Sequence, residues 1–235
     1  MNEARMVLLH GAWHGPWCWD RLGRCLDARG LAWSAPQLPS AGGEAAVDMG
    51  NDVTHLRSCL EDLGPVVVVA HSYAGAVITQ AAPWLTNVRS VIYLAALVPR
   101  EGQTASDVTK EYGRRSPLDA TIRRDEGLLT LDPIPAALAL YGDCDAVTRA
   151  DAISRVTTQT LASFRTPRTS GRVGVPTTYI VCQRDQAIVP EVQRDIARRC
   201  DHVVEMASDH SPFWSRPAEF AELLSRVMHS TGEAF

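Results

Sequence analysis

The sequence predicts an α/β fold in which a mostly parallel sheet of about six strands is flanked by helices. Short apolar runs alternate with segments whose apolar residues recur every three or four positions, which is the order of strands and helices that such a sheet requires. The runs are apolar at consecutive positions, as in Val66–Val69, so each strand should be buried on both faces. A chain of 235 residues is long enough to bury one large core.

Four strands and three helices are predicted in the first 99 residues. The strands are Met6–Leu9, Leu31–Ala35, Val66–Val69 and Val88–Leu94. Helical spacing runs from Trp19 to Leu26, from Val53 to Leu63 and from Val77 to Ala81, and glycine or proline follows each segment.

Residues 100–172 break this alternation. They contain several short helical patterns and no long β-branched run, so we expect a helical cap inserted above the sheet. The sheet resumes at Thr177–Cys182 and ends at His202–Met206, and helices begin at Pro190 and Pro217. The expected division is a core of residues 1–99 and 173–235 with a cap of residues 100–172.

Composition argues against several classes of function. A net charge of −4 with 21% charged residues predicts neither a nucleic-acid surface nor a membrane anchor. The first apolar run is too short for a signal peptide, so a cytoplasmic location is expected. The pairs Arg114-Arg115 and Arg123-Arg124 favour a solvated face over a phosphate site. The six cysteines lack metal-site spacing, which predicts reduced, buried thiols and no metal, and leaves a cysteine nucleophile as a minor alternative.

The stretch from Val66 to Ala76 predicts a strand, a sharp turn and a helix, with Ser72 at the turn. Such a turn can hold a serine hydroxyl at the tip of a sheet only where small neighbours let the backbone pack closely. Ala70, Ala74 and Gly75 meet this requirement. Ser72 is therefore the candidate nucleophile of a G-x-S-x-G elbow with alanine at both glycine positions; an incidental serine is the alternative.

A nucleophilic serine needs a base, and the base needs an acceptor that fixes its tautomer. Both partners should follow later strands of the sheet, at their carboxyl ends. Asp185 follows one predicted strand and His210 follows the last, which gives the order serine, aspartate, histidine of a hydrolase triad. Asp209 is the alternative acid, although neighbours on a loop rarely point the same way. His71 adjoins Ser72 but should point off the turn.

Acyl transfer also needs donors for the developing oxyanion. An elbow supplies the backbone N–H of the residue after the serine, here Tyr73. The loop after the first strand should supply the second donor, and the N–H of Ala12, beside Gly11, is the candidate.

The run from Leu8 to Trp19 resembles the N-terminal signature of the methylesterase and hydroxynitrile-lyase branch of the α/β-hydrolase superfamily, which includes bacterial carboxylesterases. The stretch from Tyr179 to Gln193 and the pair Asp209-His210 resemble its acid and histidine regions. The resemblance implies a Ser72–His210–Asp185 triad, oxyanion donors at Ala12 and Tyr73, and no cofactor. Lyases of this branch resemble one another in having threonine after the first histidine and lysine beside the catalytic histidine. This chain has Gly11 and Ser211 at those positions, which disfavours lyase activity. Ala74 and the cap depart from the family pattern.

The expected reaction is hydrolysis of a small, hydrophobic carboxylic ester through an acyl-enzyme. A biosynthetic use of the pocket as lyase, cyclase or lactone-forming enzyme is one alternative, and a non-hydrolytic small-molecule receptor is another. The expected partner is the small ester, with no nucleic acid and no membrane, and a homodimer stays open. The candidate pocket walls are Trp13, His14, Trp17, Tyr73, Leu97 and Trp214.

Overall fold

A computed structural model describes residues 4–111 and 116–230, and two sheets organise this part of the chain. The strands are β1 (Arg5–Leu9), β2 (Trp33–Ser34), β3 (Val66–His71), β4 (Val88–Leu94), β5 (Ile122–Asp125), β6 (Leu128–Leu131), β7 (Gln159–Thr160), β8 (Thr177–Cys182) and β9 (His202–Met206). The larger sheet has the order β2-β1-β3-β4-β8-β9, and every neighbouring pair in it is parallel. The predicted α/β fold with six parallel strands is confirmed.

The described residues form ten α-helices. They are α1 (Asp20–Asp27), α2 (Met49–Glu61), α3 (Ala74–Ala81), α4 (Ala105–Glu111), α5 (Pro133–Leu140), α6 (Ala146–Ser154), α7 (Leu161–Arg165), α8 (Pro190–Ala197), α9 (Pro212–Ser215) and α10 (Pro217–Ser230). Asp48 begins α2 with a capping box, in which its carboxylate accepts from the backbone N–H groups of Gly50 and Asn51. Short 3₁₀ turns precede α1 and follow α3.

The register of the large sheet brings the carboxyl ends of its central strands to one edge. Leu9 pairs with Ala70, His71 with Leu94, and Leu94 with Ile180. Because all these strands are parallel, the loops that follow β1, β3, β4 and β8 emerge side by side. The core lies beneath them: every residue of β3 is fully buried, as its unbroken apolar run predicts.

The described residues between 100 and 172 contain four helices and also a three-stranded antiparallel sheet, β5-β6-β7. The prediction of a helical cap missed this small sheet. Glu126 and Gly127 form a two-residue turn with φ of 44° and 83°, the left-handed pair that joins tightly paired antiparallel strands. β5 and β6 have only four residues each, too few for a clear alternating pattern in the sequence.

Only one of the two arginine pairs of this region lies in the described part of the chain. Arg114 and Arg115 lie outside the described residues. Arg123 is exposed and lies 3.5 Å from Asp132, which matches a solvated face. Among the described residues, no helix is both long and apolar enough to cross a lipid bilayer.

Candidate active site

Ser72 lies in the tight turn between β3 and α3. Its φ of 54° is in the left-handed region, which costs a residue with a side chain on the order of 1–3 kcal/mol and must be held by its surroundings. Three backbone bonds hold it: the Ser72 N–H donates to Leu94 O at 3.1 Å, and the Ser72 carbonyl accepts from the N–H groups of Gly75 and Leu97, both at 3.0 Å. The turn thus has the strained geometry of a nucleophile elbow.

Close packing around this turn explains the small residues in the sequence. A Cβ atom at Gly75 would lie 2.6 Å from the carbonyl oxygen of Leu97, so only glycine fits there. A Cβ atom at Gly11 would lie 2.9 Å from Cβ of Ser72. The loop after β1 therefore presses directly against the candidate nucleophile.

Asp185 and His210 form a buried pair at the ends of β8 and β9. His210 Nδ1 lies 2.6 Å from Asp185 Oδ2, and the side chains are 2% and 0% exposed. Asp185 also accepts from the N–H groups of Ala187 and Ile188 and from the side-chain amide of Gln193. Four donors thus fix this carboxylate, and a bond from Nδ1–H to Asp185 leaves His210 Nε2 as the basic nitrogen.

The Ser72 hydroxyl has no hydrogen-bond partner among the described residues. The structure therefore brings Asp185 and His210 into direct contact and places Ser72 on the wall of the adjoining cavity, without a bond between the serine and the histidine.

The alternative acid and the neighbouring histidine have other contacts. Asp209 accepts from the backbone N–H groups of Asp143 and Ser211 and from the hydroxyl of Ser215, and so turns away from the imidazole. His71 packs its ring 4.4 Å from that of His210 and donates from Nε2 to the His210 carbonyl at 3.0 Å. Burial holds the pKa of His71 well below its usual value, so its ring is neutral.

The two candidate oxyanion donors are unengaged. Within the described residues, neither the N–H of Ala12 nor that of Tyr73 donates to another protein group. Both lie in segments that meet at Ser72, since Tyr73 follows it in the turn and Gly11 contacts it. Free N–H groups in this place can stabilise an oxyanion that forms beside the serine.

A cavity of about 100 Å³ reaches Ser72 between the sheet and the cap. Trp13 and Leu97, two of the predicted walls, line it, and the remaining walls come from the cap and from the loop after β8. The apolar ones are Leu118, Ile122, Leu129, Leu161, Phe164, Ala187 and Ile188. Ser106, Thr109, Asp119 and Arg124 add polar groups. Elsewhere among the described residues lie larger depressions, of about 590, 370 and 290 Å³, and Ser72 lines none of these three.

His14, Trp17 and Trp214 lie in a separate aromatic cluster instead of the cavity wall. His14 stacks on Trp17 at 5.5 Å, and Trp17 meets Trp214 edge-on at 5.9 Å. Burial lowers the pKa of His14 to about 3, so the neutral ring donates from Nδ1 to Ala12 O and accepts at Nε2 from the hydroxyl of Tyr141. These residues join the cap to the core.

The Tyr73 side chain does not face the cavity either, and this corrects its assignment as a pocket wall. Its hydroxyl donates to Asp52 at 2.7 Å, and its ring stacks on Phe164 at 5.1 Å. Asp52 also accepts from the N–H and hydroxyl of Ser40, which in turn accepts from Gln159. The sequence reasoning missed this buried polar cluster, because its members are scattered and carry no motif.

The buried thiols of Cys18 and Cys182 are poor candidates for a nucleophile. Burial raises the pKa of the Cys18 and Cys182 thiols well above the usual value, which disfavours a thiolate. Within residues 4–111 and 116–230, no three His, Cys, Asp or Glu side chains converge in a group that could hold a metal ion.

Comparison with known proteins is consistent with this geometry. Residues 6–223 match the model of the alpha/beta hydrolase family. The chain is 31% identical to a probable hydrolase, R7, of Phoma sp. over 69% of each chain, and 26% identical to methyl jasmonate esterase 1 of Vitis vinifera over 97% of this chain and 98% of that one. The crystal structure of the pyrethroid hydrolase PytH with BIF superimposes with a TM-score of 0.84 at 26% identity, over 99% of this chain and all of that one.

Proposed function

Since this chain belongs to the alpha/beta hydrolase family and is a hydrolase of the carboxylesterase type, we propose that it cleaves small, hydrophobic carboxylic esters through a serine acyl-enzyme. Ser72 is the nucleophile, His210 the general base and acid, and Asp185 the acceptor that orients His210. The N–H groups of Ala12 and Tyr73 form the oxyanion hole. No step uses a cofactor.

One observation carries the proposal: an imidazole already bonded to a buried carboxylate lies at the same sheet edge as a serine held in a strained turn. A structural role would not require a left-handed serine, a four-donor carboxylate and two unengaged N–H groups in one place. Hydrolysis uses all of them.

The reaction follows from these positions. Ser72 Oγ attacks the ester carbonyl carbon as His210 Nε2 takes its proton, and the carbonyl oxygen becomes an oxyanion that the N–H groups of Ala12 and Tyr73 stabilise. Asp185 stabilises the imidazolium without taking its proton. The alcohol leaves with the proton from His210, and water, deprotonated by His210, then attacks the acyl-enzyme to release the acid and free Ser72.

The cavity supports the substrate class. Its walls are mainly aliphatic and aromatic side chains, and its volume of about 100 Å³ suits a compact group. A methyl jasmonate esterase and a pyrethroid hydrolase among the relatives are named for compounds of this general kind, which favours an ester substrate.

The test compares wild type with Ser72→Ala. Wild type should hydrolyse a short p-nitrophenyl ester and take up a fluorophosphonate label, whereas Ser72→Ala should show neither, with a loss of about 10⁵-fold or more in turnover. Ser58→Ala, at an exposed serine of α2, is the matched control and should behave as wild type. Products should be acid and alcohol in equal amounts, with one water consumed per ester.

Two outcomes would reject the proposal. One is a wild type that neither turns over nor is labelled across a panel of esters, lactones and thioesters. The other is turnover that persists in Ser72→Ala. Products formed without net addition of water would point to the lyase or cyclase alternative, and tight ligand binding without turnover would point to a receptor.

A further inference from the structure

We propose that Gln159, which the cap supplies from β7, is a positioning residue for the oxyanion hole, so that the cap completes the catalytic site as well as covering it. This inference rests on the proposed function, because it assigns the Ala12 and Tyr73 N–H groups to the oxyanion. It concerns how those two backbone groups, which no side-chain substitution can remove, are held in place.

Trp13 follows Ala12 in the loop after β1 (residues 10–15, the oxyanion loop). Its contacts join this loop to the cap. Its φ of 65° is left-handed, so its backbone must be held by its surroundings. Three bonds from the cap do this: the Trp13 N–H donates to Gln159 Oε1 at 3.3 Å, its carbonyl accepts from the Thr157 N–H at 2.8 Å, and its indole N–H donates to Leu129 O at 3.1 Å. The core alone supplies none of these partners.

The bond from Trp13 to Gln159 bears on Ala12 directly. The Trp13 N–H and the Ala12 carbonyl belong to one peptide plane, and His14 Nδ1 donates to that carbonyl at 2.7 Å. The plane is therefore held on both sides, by a core imidazole and a cap amide. This plane shares the Ala12 Cα with the preceding plane, which carries the Ala12 N–H, so a shift of that Cα after loss of Gln159 would move the donor away from the oxyanion.

Gln159 reaches the second donor through the buried polar cluster. Its Nε2 donates to Ser40 Oγ at 2.8 Å, Ser40 Oγ donates to Asp52 Oδ2 at 2.6 Å, and the same Oδ2 accepts from the Tyr73 hydroxyl at 2.7 Å. Tyr73 carries the other proposed oxyanion N–H. One glutamine thus bonds to the residue after Ala12 and, through two side chains, to the residue after Ser72.

Burial makes this connection rigid. Gln159, Ser40 and Asp52 are each 0% exposed, so water cannot replace a lost partner at no cost. Backbone bonds fix β7 to the core loop beside them, since Thr160 N–H donates to Ser40 O at 3.0 Å and Gly42 N–H donates to Thr158 O at 2.8 Å. These backbone bonds flank Gln159 and therefore fix its position relative to the core.

The test is Gln159→Met, which keeps side-chain length and removes both hydrogen-bonding groups. We expect kcat to fall about 10- to 100-fold, less than the loss of a whole oxyanion donor, with KM within about 3-fold of wild type. A trifluoromethyl ketone, which forms a tetrahedral adduct with the serine, should bind more weakly by the same factor by which kcat/KM falls. Rates should be divided by the number of active sites titrated with the fluorophosphonate. After this correction, a mere loss of folded protein would change neither kcat/KM nor the affinity for the inhibitor.

Gln80→Met is the matched control. Gln80 also accepts from backbone N–H groups near the end of the cap region, at Thr169 and Ser170, and donates to a hydroxyl, at Thr169, but it lies on α3 away from the oxyanion loop. This variant should keep kcat and inhibitor affinity within about 2-fold of wild type. Equal losses of kcat in the two variants would mean that Gln159 only attaches the cap to the core, which would contradict the inference.

Two results would overturn the inference: wild-type kcat in Gln159→Met, or a change confined to KM. If Gln159→Met does not fold, Ser40→Ala takes its place, because it removes the hydroxyl between Gln159 and Asp52 and should lower kcat about 3- to 10-fold. Wild-type kinetics in Ser40→Ala would then reject the inference. Failure of the proposed function is separately visible, since it would leave wild type without Ser72-dependent turnover.

Discussion

Asp185 and Asp52 are both buried carboxylates, and they are alike in most respects. Counted over the whole residue, Asp185 is 3% exposed and Asp52 is 0% exposed. Each accepts at least three hydrogen bonds, and neither has a lysine or arginine ion-pair partner among the described residues. By burial and bonding alone, both would qualify as functional groups.

Their partners separate them. Asp185 faces an imidazole, which can take a proton at Nε2 and becomes a cation that the carboxylate stabilises. Asp52 faces two hydroxyls and a backbone amide, which hold their protons at neutral pH; burial and the nearby Asp52 charge keep the Tyr73 pKa well above its usual value. A buried carboxylate therefore indicates chemistry when its partner can change charge, and indicates positioning when its partners cannot.

The sharpest way to break this comparison is to make the same substitution at both sites. In Asp185→Asn, the amide oxygen should stay with the N–H groups of Ala187 and Ile188, which turns the NH₂ toward His210 and forces the wrong tautomer. We expect kcat for a p-nitrophenyl ester to fall about 10³- to 10⁴-fold. Asp52→Asn should lose no more than about 10-fold, because no proton moves there.

Active-site titration and thermal unfolding serve as controls for this pair, since both variants must be compared per folded molecule. Comparable losses in the two variants would contradict the distinction. So would an Asp185→Asn variant with more than a tenth of wild-type turnover.

Asp52 should matter more for stability than for catalysis, and a second residue of the same region, Asp48, gives the comparison. Asp52→Leu leaves three buried donors, from Ser40 and Tyr73, without an acceptor, so we expect the free energy of unfolding to fall by about 3 kcal/mol or more. Asp48→Ala, which removes the half-buried N-cap of the same helix, should cost about 1 kcal/mol. Urea unfolding followed by circular dichroism measures both. A smaller loss in Asp52→Leu than in Asp48→Ala would mean that the buried cluster stabilises little.

The sequence could predict Asp185 and could not predict the role of Asp52, for a physical reason. β3 and β8 are contiguous, fully buried runs, so their ends, and the polar residues that follow them, can be located without a structure. Ser72 and Asp185 follow these ends, and His210 follows the last strand, β9, which is mostly exposed. Asp52 lies on the inner face of a helix, where its polarity only interrupts an otherwise ordinary apolar pattern.

The cap was harder to predict because its order is not local. Its small sheet depends on a two-residue turn and on β7, a strand of two residues, pairing with β6 about thirty residues earlier. Gln159 gains its contacts through this pairing and through backbone bonds to the core loop around Ser40 and Gly42, which are also distant in sequence. The same lack of local signal explains why His14, Trp17 and Trp214 were expected in the pocket: aromatic residues near a site motif do not reveal which side of the loop they face.

The smallest expected effect concerns the pH dependence of Asp52. Burial raises the pKa of Asp52, and the hydrogen bonds from Ser40 and Tyr73 offset only part of this rise. The folded protein therefore keeps this proton at pH values where the unfolded chain, with a pKa near 3.9, has released it. The stability that Asp52 contributes is complete below the unfolded pKa and declines as the pH rises through the folded pKa.

The Asp52→Asn variant cannot titrate at this position, so it isolates the effect. The difference in unfolding free energy between wild type and Asp52→Asn should be larger near pH 4 than at pH 7, as measured by urea unfolding at each pH. A difference that instead grows toward pH 7 would mean that the hydroxyls of Ser40 and Tyr73 stabilise the ionised form more than burial opposes it. Asp52 would then hold a charge as firmly as a catalytic carboxylate must, and only the identity of the partner group would still distinguish it from Asp185.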